Sequence, residues 1–506
     1  MKRTVHLSLS VLLIGLLAFS MNVHAASKSY EETISADDLT SAYQGASAGG
    51  EKVRILIMPG HEPMYGGAEF MGYYEREFVV DIAERLKREL ETDQNFEVFI
   101  ARDASGWSDD FTSYFDRQMR KITRFIEDHK EDYEKFVKRG RIDVFEEQVA
   151  HNAAPGDVAT RLYGVSKWAN ENDIDLVLHL HLNDETGHGP NERGAYSGAA
   201  IYVPDAIYGN AGASRAIAEP VLERLKSTTA VSNFGYETKG IVEDRELIAV
   251  GAYNTSEAPS LLLEYSYIYE PRITGDGARD AVFADFAFQT AQGVKDFFGS
   301  PGRPRLDTKA LPYTFSSDLL ATSTATSTNN TTGIYALQAL LRDLDLYPGS
   351  EASLGVCPIS GLMNECTTLA VKSFQARNNL EQTGTLGPRT RAALNAAQGV
   401  VSNTPAPSAP TTSPASACAA FASDLSLDVS DADTNGEVTR LQTILARDKQ
   451  IYPEGLITGF YGPATDRAVK RFQIKEGIVT ASSTAYGLVG PATKAALVAA
   501  CSTAGN

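Results

Sequence analysis

The sequence predicts an α/β domain, a twisted and mostly parallel sheet flanked by helices, followed by two small all-α helical modules on flexible linkers. Three observations predict it. Between 51 and 300, strand-sized apolar runs alternate with amphipathic helical stretches, the pattern of a sheet wound through crossover helices. Two stretches rich in Ser, Thr, Pro and Ala, 315–333 and 398–416, cannot build a core and read as linkers. The segments after them repeat one another: Leu337-Gln338, Phe374-Gln375 and GPRTRAAL at 387–394 recur as Leu441-Gln442, Phe472-Gln473 and GPATKAAL at 490–497.

Taken in order, residues 1–25 read as a signal peptide. Lys2 and Arg3 give the positive end, Leu7 to Phe19 the apolar core, and Val23-His24-Ala25 a small-residue cleavage site. The competing reading is an uncleaved anchor, for which the apolar core is short. No later stretch could span a bilayer, so the expected location is outside the cytoplasm: extracellular, in a cell wall or in a periplasm. Residues 26–50 are polar and Gly/Ser/Ala-rich and read as a loose leader. Within 51–300 the strand candidates are Val53–Met58, Phe96–Ala101, Ile174–Leu182, Ala199–Val203 and Ser260–Tyr265, and the last helix runs near Ala281 to Phe297. A charged stretch, 103–160, reads as one or two helices, either a solvated excursion or a cap over a site. The modules span 334–397 and 417–506. At their size a core alone is marginal, and all four Cys fall in or beside them. In an exported chain that even count suggests disulfides. Of three possible connectivities, Cys357–Cys366 and Cys418–Cys501 are favoured as staples.

Lys plus Arg number 46 against 64 Asp plus Glu, a formal charge of −18. That opposes a nucleic-acid partner, which needs a basic face. The absence of Cys before 350 excludes thiolate chemistry in the first domain.

The chemistry concentrates at strand ends. The run Val53 to Met58 stops at Pro59-Gly60, and His61 is the first side chain beyond it, where open α/β sheets put their chemistry. In the next helix Val79, Ile82, Ala83, Leu86 and Leu90 form the apolar stripe, and Glu75 lies on that stripe four residues before Val79. A buried carboxylate needs a partner, and a metal shared with His61 is one. In Ile174–Leu182 the even-numbered Leu residues take one face, while His179 and His181 take the other, followed by Asn183. A core imidazole usually has a packing role. Two on one strand face, beside His61 and Glu75, favour metal ligation. His181, nearer the strand end, is the better ligand, with His179 and Asn183 supporting it or touching substrate; His188, in a Gly-rich loop, is a weaker substitute. Glu264 ends the buried run PSLLLE and is either a salt-bridge partner or a general acid/base. Two His and one Glu with an open fourth position is the ligand pattern of hydrolytic zinc. The reaction class is amide hydrolysis, and these residues alone do not separate a peptidase, a deacetylase and an amidase.

These motifs resemble the zinc-dependent N-acetylmuramoyl-L-alanine amidases of the amidase-3 family. MPGH (58–61), ERE (75–77) followed by IA (82–83), HLHLN (179–183) and PSLLLE (259–264) stand in the order of that family's motifs across about 53–298. The resemblance implies one Zn²⁺ on His61, Glu75 and His181, Glu264 as the catalytic carboxylate, and cleavage between N-acetylmuramic acid and L-alanine in peptidoglycan. Arg102, Arg161, Ala169-Asn170, Gly198 and KGI at 239–241 are weaker echoes. The chain departs from the pattern at His179 (usually Ser), at Glu62-Pro63, at YSYIYEP after Glu264, and in the length of 103–160. Some members carry an inhibitory helical insert, which favours the cap by analogy. Both C-terminal modules resemble peptidoglycan-binding domain 1, which implies anchoring to peptidoglycan; separately, the expectation is a monomer with no membrane span after signal cleavage. The alternatives are a wall-binding protein whose catalytic domain is silent or capped, and another zinc amide hydrolase.

Overall fold

The structure, a computed structural model, describes residues 30–143, 154–299 (except 186, 190 and 276–277), 309–312, 331–397 (except 350–351) and most of 421–503. The signal-like 1–25, the linker 398–416, Cys418 and most of the linker 315–333 lie outside these residues. A six-stranded mixed sheet has the order β4-β1-β5-β8-β6-β7, with β1 Val53–Pro59, β4 Phe96–Ile100, β5 Leu176–Asn183, β6 Ala200–Pro204, β7 Ile241–Asp244 and β8 Ser260–Tyr267. A two-residue hairpin, β2 Glu69–Phe70 with β3 Tyr73–Tyr74, stands apart. All pairings in the sheet are parallel except β6 against β8. β7 carries the alternation poorly, its Glu243 exposed and Ile241 half-buried, so the sequence does not announce it.

The strand alternation sorts the helices. Val53, Ile55 and Ile57 of β1, the even-numbered Leu residues of β5, and Leu261, Leu263 and Tyr265 of β8 share one core with α2 (Glu75–Leu90), α5 (Ala211–Leu225) and α7 (Ala278–Phe298). On the opposite face Leu56, Met58 and Val177 pack with α3 (Asp109–Lys138) and α4 (Gly156–Glu171). A short α6 (Pro271–Thr274) precedes α7.

The structure corrects or sharpens the sequence reading in three places. The expected loose leader contains α1 (Ala36–Ser47), opened by a capping box between Ser35 and Asp38. Its Leu39 and Tyr43, four apart and therefore on one helical face, are fully buried in the main core, and the Tyr43 hydroxyl donates to Asp93 at 2.7 Å. In the charged stretch the described residues form one 30-residue helix, α3, and the start of α4, in keeping with the one or two helices expected. Phe111, Tyr114, Phe115 and Ile122 bury the first half of α3. Its far end stays attached through Tyr133 against Tyr253 (ring centroids 5.5 Å) and Phe136 stacked on Tyr30 (4.3 Å). Residues 144–153 lie outside the described residues, and 156–160 already belong to α4.

The third place is the first module. Its helices are α8 (Thr331–Asp343), α9 (Glu365–Arg377) and α10 (Pro388–Ala397), with Cys357 and Cys366 joined in a disulfide. Helix α8 starts inside the expected linker, and the module is docked rather than tethered. Leu337, Leu341, Val371 and Phe374 belong to the main core cluster. The Tyr335 hydroxyl donates to the fully buried Asp285 of α7 at 2.7 Å, and Arg342 donates to the Ser227 carbonyl at 2.6 Å. The second module, α11 (Glu437–Leu445), α12 (Pro463–Lys475) and α13 (Pro491–Thr503), has its own core.

Candidate metal centre and its cleft

The candidate residues meet at the C-terminal ends of β1, β5 and β8. Past β1 the chain turns sharply. His61 has φ 66, a left-handed conformation costing about 1–3 kcal/mol for a side-chain-bearing residue. Gly60 permits the turn, because a Cβ there would lie 2.4 Å from the His181 ring. Gly67, at φ 87, lets the following loop return over His61 and Glu75. Buried Arg102 ties the turn down, its Nε donating to the carbonyls of Pro59 (3.0 Å) and His61 (2.9 Å), with Nη2 donating to those of Gly60 and Arg76. Burial pushes the Arg102 guanidinium down to about 10, so it stays charged at neutral pH. Arg161 of α4 pairs with Glu62 and fixes the loop from the other side.

Glu75, the first residue of α2, is 3 % exposed. Its Oε2 lies 2.9 Å from His61 Nε2 and accepts from the Ala68 N–H at 2.8 Å. Its Oε1 lies 2.9 Å from His181 Nδ1 and accepts from the Leu182 N–H at 3.0 Å. The two imidazoles stand edge to face, 4.7 Å between centroids. Burial alone would raise the Glu75 carboxyl, but the two imidazoles outweigh it and hold it well below the usual carboxylate range. One donor atom from each of His61, Glu75 and His181 falls within 4.8 Å of the others, a spacing that suits a single cation. Two imidazoles and a carboxylate without thiolate are the donors zinc takes in hydrolytic sites.

Glu264 sits opposite His181 in the β5–β8 register. It is 6 % exposed, and its Oε2 is buried with no hydrogen-bond partner. Burial first, then the charges of Glu75 and Glu237, push its carboxyl well above the usual range. An orphaned acid facing a cation-sized group of donors fits a metal with a reacting water beside it. His179 lines the same cleft but lies outside the donor group. Burial first, then His181, lowers it to about 3, so it is neutral and serves as floor beside Met58 and Leu262. Asn183 is turned away from the donors, giving its amide N–H to Glu237 at 2.8 Å.

The cleft has a volume of about 620 Å³. Of α3 no described residue lines it; from 103–160 only Ala154 and Val158 do. Sequence reasoning missed Glu237, held fully buried on a short 3-10 helix, Gly235–Lys239. It accepts from Asn183, from the hydroxyls of Tyr202 (2.6 Å) and Tyr267 (3.0 Å), and from Ser232. A lone Glu between Tyr236 and Thr238 has no periodicity to flag it. The weaker echoes do have structural work: Gly198 (φ 103) donates its N–H to Glu270, and Asn170 bonds the Thr255 carbonyl.

Residues 330–394 and 434–497 each match the family described as putative peptidoglycan binding domain. A comparison with curated protein sequences gives no match. Among solved structures, similar ones include an N-acetylmuramoyl-L-alanine amidase from Clostridium difficile 630 (18 % identity, 50 % of this chain and 100 % of that one, TM-score 0.31). Ami1 from Mycobacterium smegmatis gives 14 % identity, 49 % and 98 % coverage and TM-score 0.32. The catalytic domain of CwlV from Bacillus (Paenibacillus) polymyxa var. colistinus gives 17 %, 48 %, 94 % and 0.28. At such identities and scores the likeness alone carries no functional conclusion. Among the described residues no helix is long and apolar enough to cross a membrane.

Proposed function

We propose that this protein hydrolyses peptidoglycan at the amide between N-acetylmuramic acid and L-alanine, using one zinc ion held by His61, Glu75 and His181. The observation that carries the reading is the convergence of those three donors beside the orphaned Oε2 of Glu264. The two segments matching a peptidoglycan-binding family support the polymer as substrate, and the four motifs between 58 and 264 support the bond. The same reading sets the protein to work outside the cytoplasm, at the wall, as a monomer, with 1–25 as its export signal.

Zinc bound there supplies a Lewis acid for the scissile carbonyl and acidifies the attacking water. The remaining work belongs to the chain. Glu264 has a raised proton affinity from burial and from two neighbouring carboxylates. It takes the water's proton as the tetrahedral centre forms and returns it to the leaving alanine nitrogen. Glu75 keeps its orientation through the Ala68 and Leu182 N–H groups and would offer its remaining lone pairs to the cation. Neutral His179 with Met58 and Leu262 makes a dry floor, which strengthens the electrostatics above it.

Purified peptidoglycan incubated with the protein tests this by product analysis. The expected products are stem peptides with a free L-alanine amino terminus and glycan strands with free lactyl carboxyls. Glu264→Ala should lower the rate by a factor of about 10²–10⁴, the usual worth of a positioned acid/base. Released acetate or shortened peptides would overturn the bond assignment. Binding to the wall without any release would instead favour a silent wall-binding protein.

A further inference from the structure

The cleft wall beside Glu264 has a polarity that the hydrolytic reading does not use. Glu237 lies just behind it with no exposed surface, and every group bonded to it is neutral: the Asn183 amide, the phenols of Tyr202 and Tyr267, and the Ser232 hydroxyl. Four hydrogen bonds fix that carboxylate in the wall as an acceptor. They also commit the donors' hydrogens. With their O–H groups donated to Glu237, Tyr202 and Tyr267 turn oxygen lone pairs toward the cleft, and the Tyr202 phenol is bonded to that of Tyr236 as well. Asp184 and Glu185 continue the wall outward, and Glu264, with its unpartnered Oε2, closes it inward. Among the described residues no Lys or Arg lines the cleft. The nearby guanidinium of Arg161 is taken up by Glu62 and Asp157, and that of Arg102 by the carbonyls of the His61 turn.

Building on the hydrolytic reading above, we propose that Glu237 is a positioning residue that makes this wall an acceptor surface. The wall selects substrates whose peptide portion offers hydrogen-bond donors or positive charge, an ammonium side chain or an amidated carboxyl, over those carrying free carboxylates. A stem peptide carries both kinds of group in variable form, so one wall of fixed polarity discriminates among stems that share the same scissile bond. Rejection comes from a carboxylate facing a wall of oxygens whose hydrogens are already committed, and acceptance from donors meeting lone pairs oriented by Glu237.

Two pairs of soluble muramoyl peptides test it with the full-length enzyme. One pair differs by a free carboxylate or its primary amide at the second stem residue, the other by a free or N-acetylated side-chain amine at the third. The wild type should favour the amidated and the free-amine members on the order of tenfold in kcat/KM, carried mainly by KM. Glu237→Gln keeps the shape of the side chain but turns one acceptor into a donor. It should bring both ratios toward one as the KM values within each pair converge, while any change in kcat passed on through the neighbouring Glu264 falls on both members alike. Tyr267→Phe, which removes one donor from Glu237 and nothing from the metal donors, should shift the ratios the same way by less. Binding of the released stem peptides to the Glu264→Ala protein, read by calorimetry, should rank in the same order without any turnover. Equal kcat/KM within both pairs for the wild type, or ratios unchanged in Glu237→Gln, overturns the proposal while leaving the hydrolytic reading standing. Failure to release L-alanine-headed peptides from any member overturns the hydrolytic reading itself, and this proposal with it.

Discussion

The two C-terminal repeats share a fold-making logic and differ in what they rest against. In both, a glutamine after an aromatic is buried and ties down the loop that precedes the last helix. Gln375 donates to the Thr385 carbonyl at 2.8 Å and accepts from the Gly384 N–H at 2.9 Å. Gln473 does the same with Leu488 (2.8 Å) and Gly487 (2.8 Å). The leucine-glutamine pair behaves alike, Gln338 bonding Thr367 at 2.7 Å and Gln442 bonding Thr465 at 2.9 Å. The repeated LQ, FQ and GPxT signatures are thus the residues that satisfy buried loops, and they specify the module irrespective of its surroundings. What differs lies on the outer face of the first helix. Aligning Leu337 with Leu441 sets Tyr335 against Thr439 and Arg342 against Ala446. Tyr335 and Arg342 are the residues that reach Asp285 and Ser227, and the half-buried Thr439 and Ala446 have no length to do so. Two substitutions on one helix face separate a module fused to the α/β domain from one with a core of its own.

The largest test of that comparison is deletion. Removing 398–506 should leave the thermal transition of the remaining protein unchanged. Removing 313–506 should lower it sharply, because Asp285 and the apolar face of α7 lose their cover. Each large side chain uncovered costs about 1.5–3 kcal/mol, and calorimetry reads the difference. Equal transitions in the two truncated proteins would make the modules equivalent after all. Smaller effects come from the paired glutamines. Gln375→Leu and Gln473→Leu each strand a loop carbonyl and N–H, costing about 1–3 kcal/mol. The first should move the transition of the α/β domain, the second only that of the last module.

The smallest effect is in pH. Burial pushes the Asp285 carboxyl above its usual range, against the pull of Thr228, Tyr335 and Gln289. The folded value exceeds the unfolded one, so the contribution of Asp285 is fully present below about pH 4 and is lost as pH rises through the folded value. The melting temperature of the docked unit should therefore fall across that window, and Asp285→Asn should flatten the slope while leaving the last module untouched.

Much of this was legible from the residues. Glu75 on an apolar stripe demanded a partner, and the sheet brings His61 and His181 to within 2.9 Å of its oxygens. The alternation in β5 separated His181 from the Leu face, and its place near the strand end ranked it above His179. What stayed hidden depends on contacts distant in sequence. Leu39 and Tyr43 are a two-residue signal inside a polar leader, and only the burial of Leu39 in the main core and the packing of Tyr43 on Phe96 and Phe298 reveal them. The docking of the first module joins an apolar seam to a buried acid in α7, Asp285, whose helical pattern gives no sign of a partner fifty residues on. Glu237 was invisible for the same reason: its four donors come from four separate segments.

The central claim, that the cleft hydrolyses amides through one metal held by His61, Glu75 and His181, is tested most directly by titration of activity with zinc. Chelated, metal-free protein receives zinc in increments, and release of L-alanine-headed peptides from peptidoglycan is followed alongside bound zinc. The account predicts activity rising to a plateau at about one equivalent, loss of tight zinc binding in Glu75→Gln, and retained zinc without activity in Glu264→Ala. Full hydrolysis by the metal-free protein, or undiminished zinc binding by Glu75→Gln, would contradict it.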